Sequence, residues 1–70
     1  MATLPLHGDS ITLAQAVKAA GLADTGGQAK YLIREGQILV NGVAELQPGR
    51  KLHMGDRFSI QNGDEWTFSR

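Results

Sequence analysis

Two helix-start signals lie close together in the N-terminal half of the chain, and they restrict the fold more than any other feature. Thr12 precedes Gln15, and Thr25 precedes Gln28, at the spacing of a capping box, in which paired side chains bond the first free backbone N–H groups of a helix. Gly21 lies between them and favours the left-handed conformation that ends a helix. The pattern predicts two short helices joined by about four residues and turned sharply against each other.

Each predicted helix has one apolar face. The first is expected over residues 13–20, because apolar residues recur there at i, i+3, i+4 and i+7. The second begins after Thr25 and ends at Gly36. The residues on these faces are Leu13, Ala16, Val17 and Ala20 in the first helix and Ala29, Leu32 and Ile33 in the second.

The remainder of the chain is predicted to form strands. The first ten residues form an extended lead-in, because Pro5 and Gly8 disfavour a helix. Asn41-Gly42 predicts a tight hairpin between residues 38–40 and 43–45, since these residues accept the positive φ angles of a type I′ turn. A loop then leads to residues 50–52, and Gly55-Asp56 forms another turn.

A second hairpin is predicted over residues 57–69. A three-residue loop over 62–64 pairs Ile60 with Trp66 and Phe58 with Phe68, and places all four side chains on one face. The predicted fold class is therefore α+β, with two short N-terminal helices packed on a small, mainly antiparallel β-sheet. With 70 residues, we expect one domain over the whole chain.

Composition excludes several classes of function. The chain has no cysteine, so disulfide scaffolds and thiolate zinc sites are excluded. Seven Lys and Arg balance seven Asp and Glu, so any electrostatic function depends on local charge segregation. The apolar runs are too short for a membrane span, and residues 1–7 do not resemble a secretory signal. We expect a cytoplasmic protein without a membrane partner.

No residue pattern predicts catalysis, a metal site or a cofactor. His7 and His53 are far apart and have no neighbours at metal-ligand spacing. Asp64-Glu65 is placed at a hairpin tip, where both carboxylates are solvated. The chain has no phosphate-binding loop with its lysine and is too short to build a ligand-burying pocket. We expect a protein that is not an enzyme.

The second helix carries the candidate binding residues. Lys30, Tyr31 and Arg34 project within one arc of roughly 100°. Lys30 and Arg34 are i,i+4 neighbours that repel each other unless an anion lies between them. The alternative is an ordinary solvated helix face.

The start of this helix is a second candidate. Thr25 is followed by Gly26 and Gly27, whose backbone N–H groups lie at the positive end of the helix dipole and suit a phosphate. Alternatively, the glycines fit a tight turn between helices. Residues 25–53 also hold a net excess of two cations, contributed by Lys30, Arg34, Arg50 and Lys51 against Glu35 and Glu45.

Residues 25–43, TGGQAKYLIREGQILVNGV, followed by Gly55-Asp56, resemble the RNA-binding domain named after the fourth protein of the small ribosomal subunit, also called the alpha-L motif. The most specific part is Ala-Lys-x-x-Ile-x-x-Gly-x-Ile-x-Val-Asn-Gly over residues 29–42. The resemblance spans about residues 11–60, and it is greatest to small bacterial single-domain members.

The resemblance implies binding of structured RNA, such as ribosomal or transfer RNA. We expect the protein to be a monomer. It implicates Lys30 and Arg34 on the second helix, and Arg50 and Lys51 in the Gly-Arg-Lys-Leu segment, as phosphate contacts. Many members have an arginine where this chain has Gly26, so the contact here is expected to pass to backbone N–H groups. Tyr31 either stacks on an unpaired base or packs beside its helix.

A second function from another class remains open at this point. The chain could instead be a protein-interaction adaptor that docks on a ribosomal or other acidic partner. The two functions predict different salt dependence of binding. They also differ after nuclease treatment, when an adaptor would still retain its partner.

Overall fold

The computed structural model describes residues 2–69 and has the predicted α+β fold. Two helices lie in the N-terminal half and most strands follow them. The elements in chain order are β1 (Ala2–Pro5), β2 (Ile11–Thr12), α1 (Leu13–Ala19), α2 (Gly26–Arg34), β3 (Ile38–Val40), β4 (Val43–Ala44), β5 (Lys51–Leu52), β6 (Phe58–Ile60) and β7 (Trp66–Ser69).

Helix α1 begins with the predicted capping box. Thr12 Oγ1 accepts a hydrogen bond from Gln15 N at 3.3 Å, and Gln15 Oε1 accepts one from Thr12 N at 3.1 Å. The helix ends at Ala19, one residue earlier than expected, and Gly21 follows in the left-handed region with φ +77°. These caps satisfy backbone groups that a two-turn helix cannot satisfy internally.

Helix α2 has half of its predicted capping box. Thr25 Oγ1 accepts from Gln28 N at 3.0 Å, as expected. The Gln28 side chain, however, accepts from Asp24 N at 2.8 Å rather than from Thr25 N. The physical reason is the N-cap backbone: φ is −136° at Thr25 and −73° at Thr12, and this rotation turns the Thr25 N–H away from the first turn.

The strands form a five-stranded sheet of order β1-β7-β6-β3-β4 and a two-stranded sheet of β2 and β5. All pairings are antiparallel except β1 with β7. The predicted lead-in is extended over residues 2–5, but it is also an edge strand that pairs from Ala2 with Trp66 to Pro5 with Ser69. Proline is tolerated at a sheet edge because no neighbour there needs its missing N–H.

The hairpin between β3 and β4 forms as predicted. Val40 pairs with Val43 across Asn41 and Gly42, whose φ angles are +52° and +86°. Two successive positive φ angles are those of a type I′ turn.

The predicted register of the second hairpin is wrong by two residues. Phe58 pairs with Trp66, not with Phe68. The chain turns directly after Ile60: Gly63 N donates a hydrogen bond to Ile60 O at 2.9 Å, and Asn62 has φ +63°. Strand β7 makes its longer ladder, of four residue pairs, with β1 and not with β6. Because the shift is even, the aromatic rings still share a face, with centroids of Phe58 and Phe68 5.8 Å apart.

The core lies between the helices and one face of the larger sheet. Both helices turn their predicted apolar faces into it, although Ala20 and Leu32 remain half-buried. The buried apolar residues are Leu4, Leu6, Leu13, Ala16, Val17, Ala23, Ala29, Ile33, Ile38, Val40, Leu52, Phe58 and Phe68.

Strand β1 should contribute to stability through its inward side chain. We expect Leu4→Ala to lower the free energy of unfolding by about 2–4 kcal/mol, because Leu4 is buried in the core. Thr3→Ala, on the exposed side of the same strand, should change it by less than about 0.5 kcal/mol. Urea unfolding followed by circular dichroism measures both, and equal midpoints would contradict a structural role for β1.

Candidate functional site

The outer arc of α2 is exposed because its inner face is anchored. Ala29 and Ile33 are fully buried, so the opposite side of a regular helix must face solvent. Lys30, Tyr31 and Arg34 all lie on that side and are exposed, as predicted. None of the ion pairs within residues 2–69 involves Lys30 or Arg34.

Tyr31 keeps most of its side chain in solvent, with 61% of its surface exposed. The other aromatic residues behave differently. Trp66 and Phe68 each stack on Phe58, with ring centroids 6.4 Å from that of Phe58 for Trp66 and 5.8 Å for Phe68. Tyr31 therefore lies on the helix surface outside this aromatic cluster.

The first turn of α2 does not need glycine for steric reasons. A Cβ atom at Gly26 would find no atom within 4 Å, and one at Gly27 would be 3.9 Å from Thr25 Oγ1. Neither residue has a positive φ angle. The geometry therefore argues against the interpretation that these glycines are required by a tight turn between the helices.

The N–H groups of this turn are also available. Thr25 accepts hydrogen bonds from Gln28 N through its side chain and from Ala29 N through its carbonyl. In the described part of the chain, the amides of Gly26 and Gly27 have no acceptor. No acidic residue lies in the first turn, so the positive end of the helix dipole is open to an anion.

Arg50 and Lys51 follow the loop after β4, and their surroundings differ. Lys51 pairs with Thr12 between β5 and β2, is exposed and takes part in no ion pair among residues 2–69. Arg50 bonds Glu45 through Nη1 and Oε1 at 2.7 Å. That bond is the largest cause of the lowered pKa of Glu45. The Arg50 charge also helps to lower the pKa of Asp56.

The loop carrying Arg50 lies beside both helices. Arg50 O accepts from Leu13 N at 2.8 Å, at the start of α1. Leu46 Cδ2 is 3.9 Å from the position of a Cβ on Gly36, just after α2. No hydrogen bond or ion pair within the described residues joins Lys30 or Arg34 to Arg50 or Lys51. The structure thus joins the loop to the start of α1 by a backbone hydrogen bond and brings it close to the end of α2 through the Leu46 side chain.

A polar clamp between two turns was not predicted. Asn41 Nδ2 donates to Asp56 Oδ1 at 3.2 Å, and Asn41 Oδ1 accepts from Arg57 N at 3.0 Å. Asp56 Oδ2 accepts from His53 N at 2.8 Å, and this backbone bond is the main cause of the lowered pKa of Asp56. The clamp ties the Asn-Gly turn to the Gly-Asp turn. Its sequence signal is the pair of turn motifs, but their contact depends on the pairing of β3 with β6.

The described residues offer little for other chemistry. The surface of residues 2–69 has no pocket, and no three potential metal ligands cluster there. Within the same range, neither helix has the length and hydropathy needed to cross a bilayer. The arc of α2, its first turn and the adjoining loop are therefore suited to surface recognition of an anionic partner.

Two comparisons with known proteins show which proteins this chain is similar to. Residues 4–67 match the model of the S4 domain family. The chain is also 40% identical over 53 residues to a Bacillus subtilis (strain 168) protein called "Probable ribosome maturation protein RlbA". That alignment covers 76% of this chain and 75% of the relative.

The clamp predicts a pH dependence. Asp56→Asn should lower the free energy of unfolding at neutral pH by roughly 1–2 kcal/mol, because an amide offers one acceptor oxygen instead of two. The pKa of Asp56 is lowered in the folded protein from 3.8. Its stabilisation is therefore complete above that value and is lost as pH falls through the lower, folded pKa.

Wild type and Asp56→Asn should consequently converge in stability as pH falls below 3.8 and through the lower, folded pKa of Asp56. Thermal unfolding across this range measures the difference. Asp64→Asn, at an exposed carboxylate in the β6–β7 turn, is the matched control and should follow wild type. A difference between wild type and Asp56→Asn that is constant with pH would contradict the clamp.

Proposed function

Because this chain belongs to the S4 domain family of RNA-binding domains, we propose that it is a non-catalytic, monomeric cytoplasmic protein that binds structured RNA. Ribosomal RNA is the favoured target, since the B. subtilis relative is called a probable ribosome maturation protein. Transfer RNA is the other target class implied by the sequence. Recognition depends on shape and phosphate geometry, not on base edges.

One observation carries this proposal: Lys30 and Arg34 are exposed on one arc of α2 and lack ion-pair partners among residues 2–69. Two like charges at i,i+4 destabilise a free helix by a few tenths of a kcal/mol. A phosphate between them reverses this repulsion. The arrangement costs the isolated protein stability and favours an anionic ligand.

The remaining site residues extend this surface. The open amides of Gly26 and Gly27, next to the N-cap Thr25, receive one phosphate at the start of α2. Tyr31 lies on the same arc, and Lys51 adds an unpaired cation beside α1. Arg50 precedes Lys51 on this surface, but its positive charge is already partly compensated by the ion pair with Glu45. We therefore assign Arg50 a smaller contribution to RNA affinity than Lys51.

Charge reversal tests the arc directly. Lys30→Glu/Arg34→Glu should abolish most binding to total bacterial ribosomal RNA while leaving the fold intact, because both side chains are exposed. With about four phosphate contacts, a plot of the logarithm of the association constant against the logarithm of the salt concentration should have a slope of roughly −3 to −4 for wild type. For the double variant the slope should be about half as steep. Filter binding at several salt concentrations gives both quantities.

A matched control is available on the other helix. Lys18→Glu makes the same charge change as Lys30→Glu at another exposed helical lysine, and it should weaken RNA binding much less. Unchanged affinity in a folded Lys30→Glu/Arg34→Glu variant would show that the assigned surface is wrong.

The adaptor function is kept as the second candidate because apolar side chains outside α2 are exposed. Val43 is 69% exposed and Leu46 55% exposed. An adaptor would retain its ribosomal partner after ribonuclease treatment, and its binding would be weakened by substitutions at these two residues. An RNA-binding protein would lose the partner under the same treatment.

The first turn of α2 can be tested by removing one N–H group without disturbing the helix. Gly26 is the first helical residue, where proline is favoured, and the extended Thr25 backbone is compatible with a following proline. Gly26→Pro should maintain stability and weaken RNA binding by roughly 5- to 30-fold, through loss of one hydrogen bond to phosphate. Gly26→Ala keeps the N–H and should bind like wild type; equal affinity of the two variants would exclude the amide contact.

A further inference from the structure

Tyr31 is poorly explained by the needs of the fold. Its side chain is 61% exposed, although a tyrosine ring normally packs against apolar neighbours or fills an interface. On a surface helix this position could be occupied by any good helix former. The ring instead shares the exposed arc of α2 with two cations, Lys30 and Arg34, neither of which has an ion-pair partner among residues 2–69.

The sequence also leaves the ring uncovered on one side. Helical side chains point towards the N-terminus of the helix, so the residue whose side chain would face the ring of Tyr31 is Gly27, at i−4. Gly27 has no side chain to place against it. A Cβ at Gly27 would find Thr25 Oγ1 at 3.9 Å as its nearest neighbour, so no other side chain packs there, and the Tyr31 ring itself lies more than 4 Å from that position.

We propose that Tyr31 is a stacking platform for an unpaired base, and that the RNA bound by α2 therefore has a bulged or looped nucleotide next to the phosphates contacted by Lys30 and Arg34. This proposal rests on the proposed RNA-binding function. It narrows the ligand class from structured RNA in general to RNA with an unstacked base. Every base has a π-face, so the contact tolerates different base identities.

The neighbouring cations support a base in preference to an apolar protein segment. A base on the ring carries phosphates along its own strand, and Lys30 and Arg34 are exposed on the same arc as the ring. An apolar partner segment would have to cover these two charges without compensating them, which is unfavourable.

The test compares two short RNA hairpins, both closed by the same non-nucleotide linker so that neither has loop bases. One is fully paired and the other has a single bulged 2-aminopurine, whose fluorescence falls when it stacks. Wild type should bind the bulged hairpin more tightly and quench it. Tyr31→Leu should weaken that binding by roughly 5- to 150-fold and abolish the quenching. Its affinity for the paired hairpin should stay the same. Tyr31→Phe keeps the ring and should bind like wild type.

Gly27→Leu gives an independent variant in which the ring is covered but not removed. A leucine at i−4 to an aromatic residue stabilises a helix, so the variant should fold at least as well as wild type. It should lose the preference for the bulged hairpin, whereas Gly27→Ala should retain it. Retained quenching in a folded Gly27→Leu variant would overturn the platform geometry.

The outcomes separate this proposal from the broader function. If Lys30→Glu/Arg34→Glu abolishes binding of both hairpins but Tyr31→Leu binds both like wild type, stacking is wrong and RNA binding stands. Equal loss of both hairpins in Tyr31→Leu would also overturn stacking, because the ring would then contact the duplex. If wild type binds total ribosomal RNA but neither hairpin, stacking is wrong and RNA binding stands. If it binds none of the three RNAs, or if Tyr31→Leu loses only a ribonuclease-resistant protein partner, both proposals are wrong.

Discussion

The burial of one face of α2 is the constraint on which the rest of this molecule depends. Ala29 and Ile33 are fully inaccessible to solvent, and in a chain of 70 residues without cysteine few other contacts can replace them. Once this face is buried, the rotation of the helix about its axis is determined. Lys30, Tyr31 and Arg34 are then exposed together, and the loop after β4 packs beside the end of the same helix through Leu46.

The exposed side of α2 combines three features that each disfavour an isolated helix. Glycines occupy its first two positions although the space around them would accept a side chain, and glycine is a poor helix former. Lys30 and Arg34 repel each other at i,i+4, and the apolar ring of Tyr31 faces water. In the proposed complex the same ligand meets all three, since a nucleotide offers a phosphate for the amides and cations and a base for the ring.

The residues that make the sequence resemble its family are divided between structure and surface. Asn41 adopts a positive φ angle and also bonds Asp56 and Arg57, so the Asn-Gly and Gly-Asp motifs hold two turns together. Arg50 is paired with Glu45 and fixes the loop beside α1. Lys30, Arg34 and Lys51 have no such internal partners among the described residues, and they are the ones left for an external anion.

Local signals in the sequence were sufficient to predict the two helices, the first hairpin and the exposed arc of α2. Capping at Thr12, the left-handed residue Gly21 and the Asn41-Gly42 turn each depend on residues within a few positions of one another, so the prediction required no knowledge of the tertiary fold. The same holds for the outer arc of α2, because helical periodicity alone separates it from Ala29 and Ile33.

The features that could not be predicted from the sequence involve contacts between distant segments. The register of β6 with β7 was decided by the ladder of β7 with β1, at the opposite end of the chain. The Asn41–Asp56 clamp likewise exists because the pairing of β3 with β6 brings two distant turns together, and no local spacing encodes that proximity.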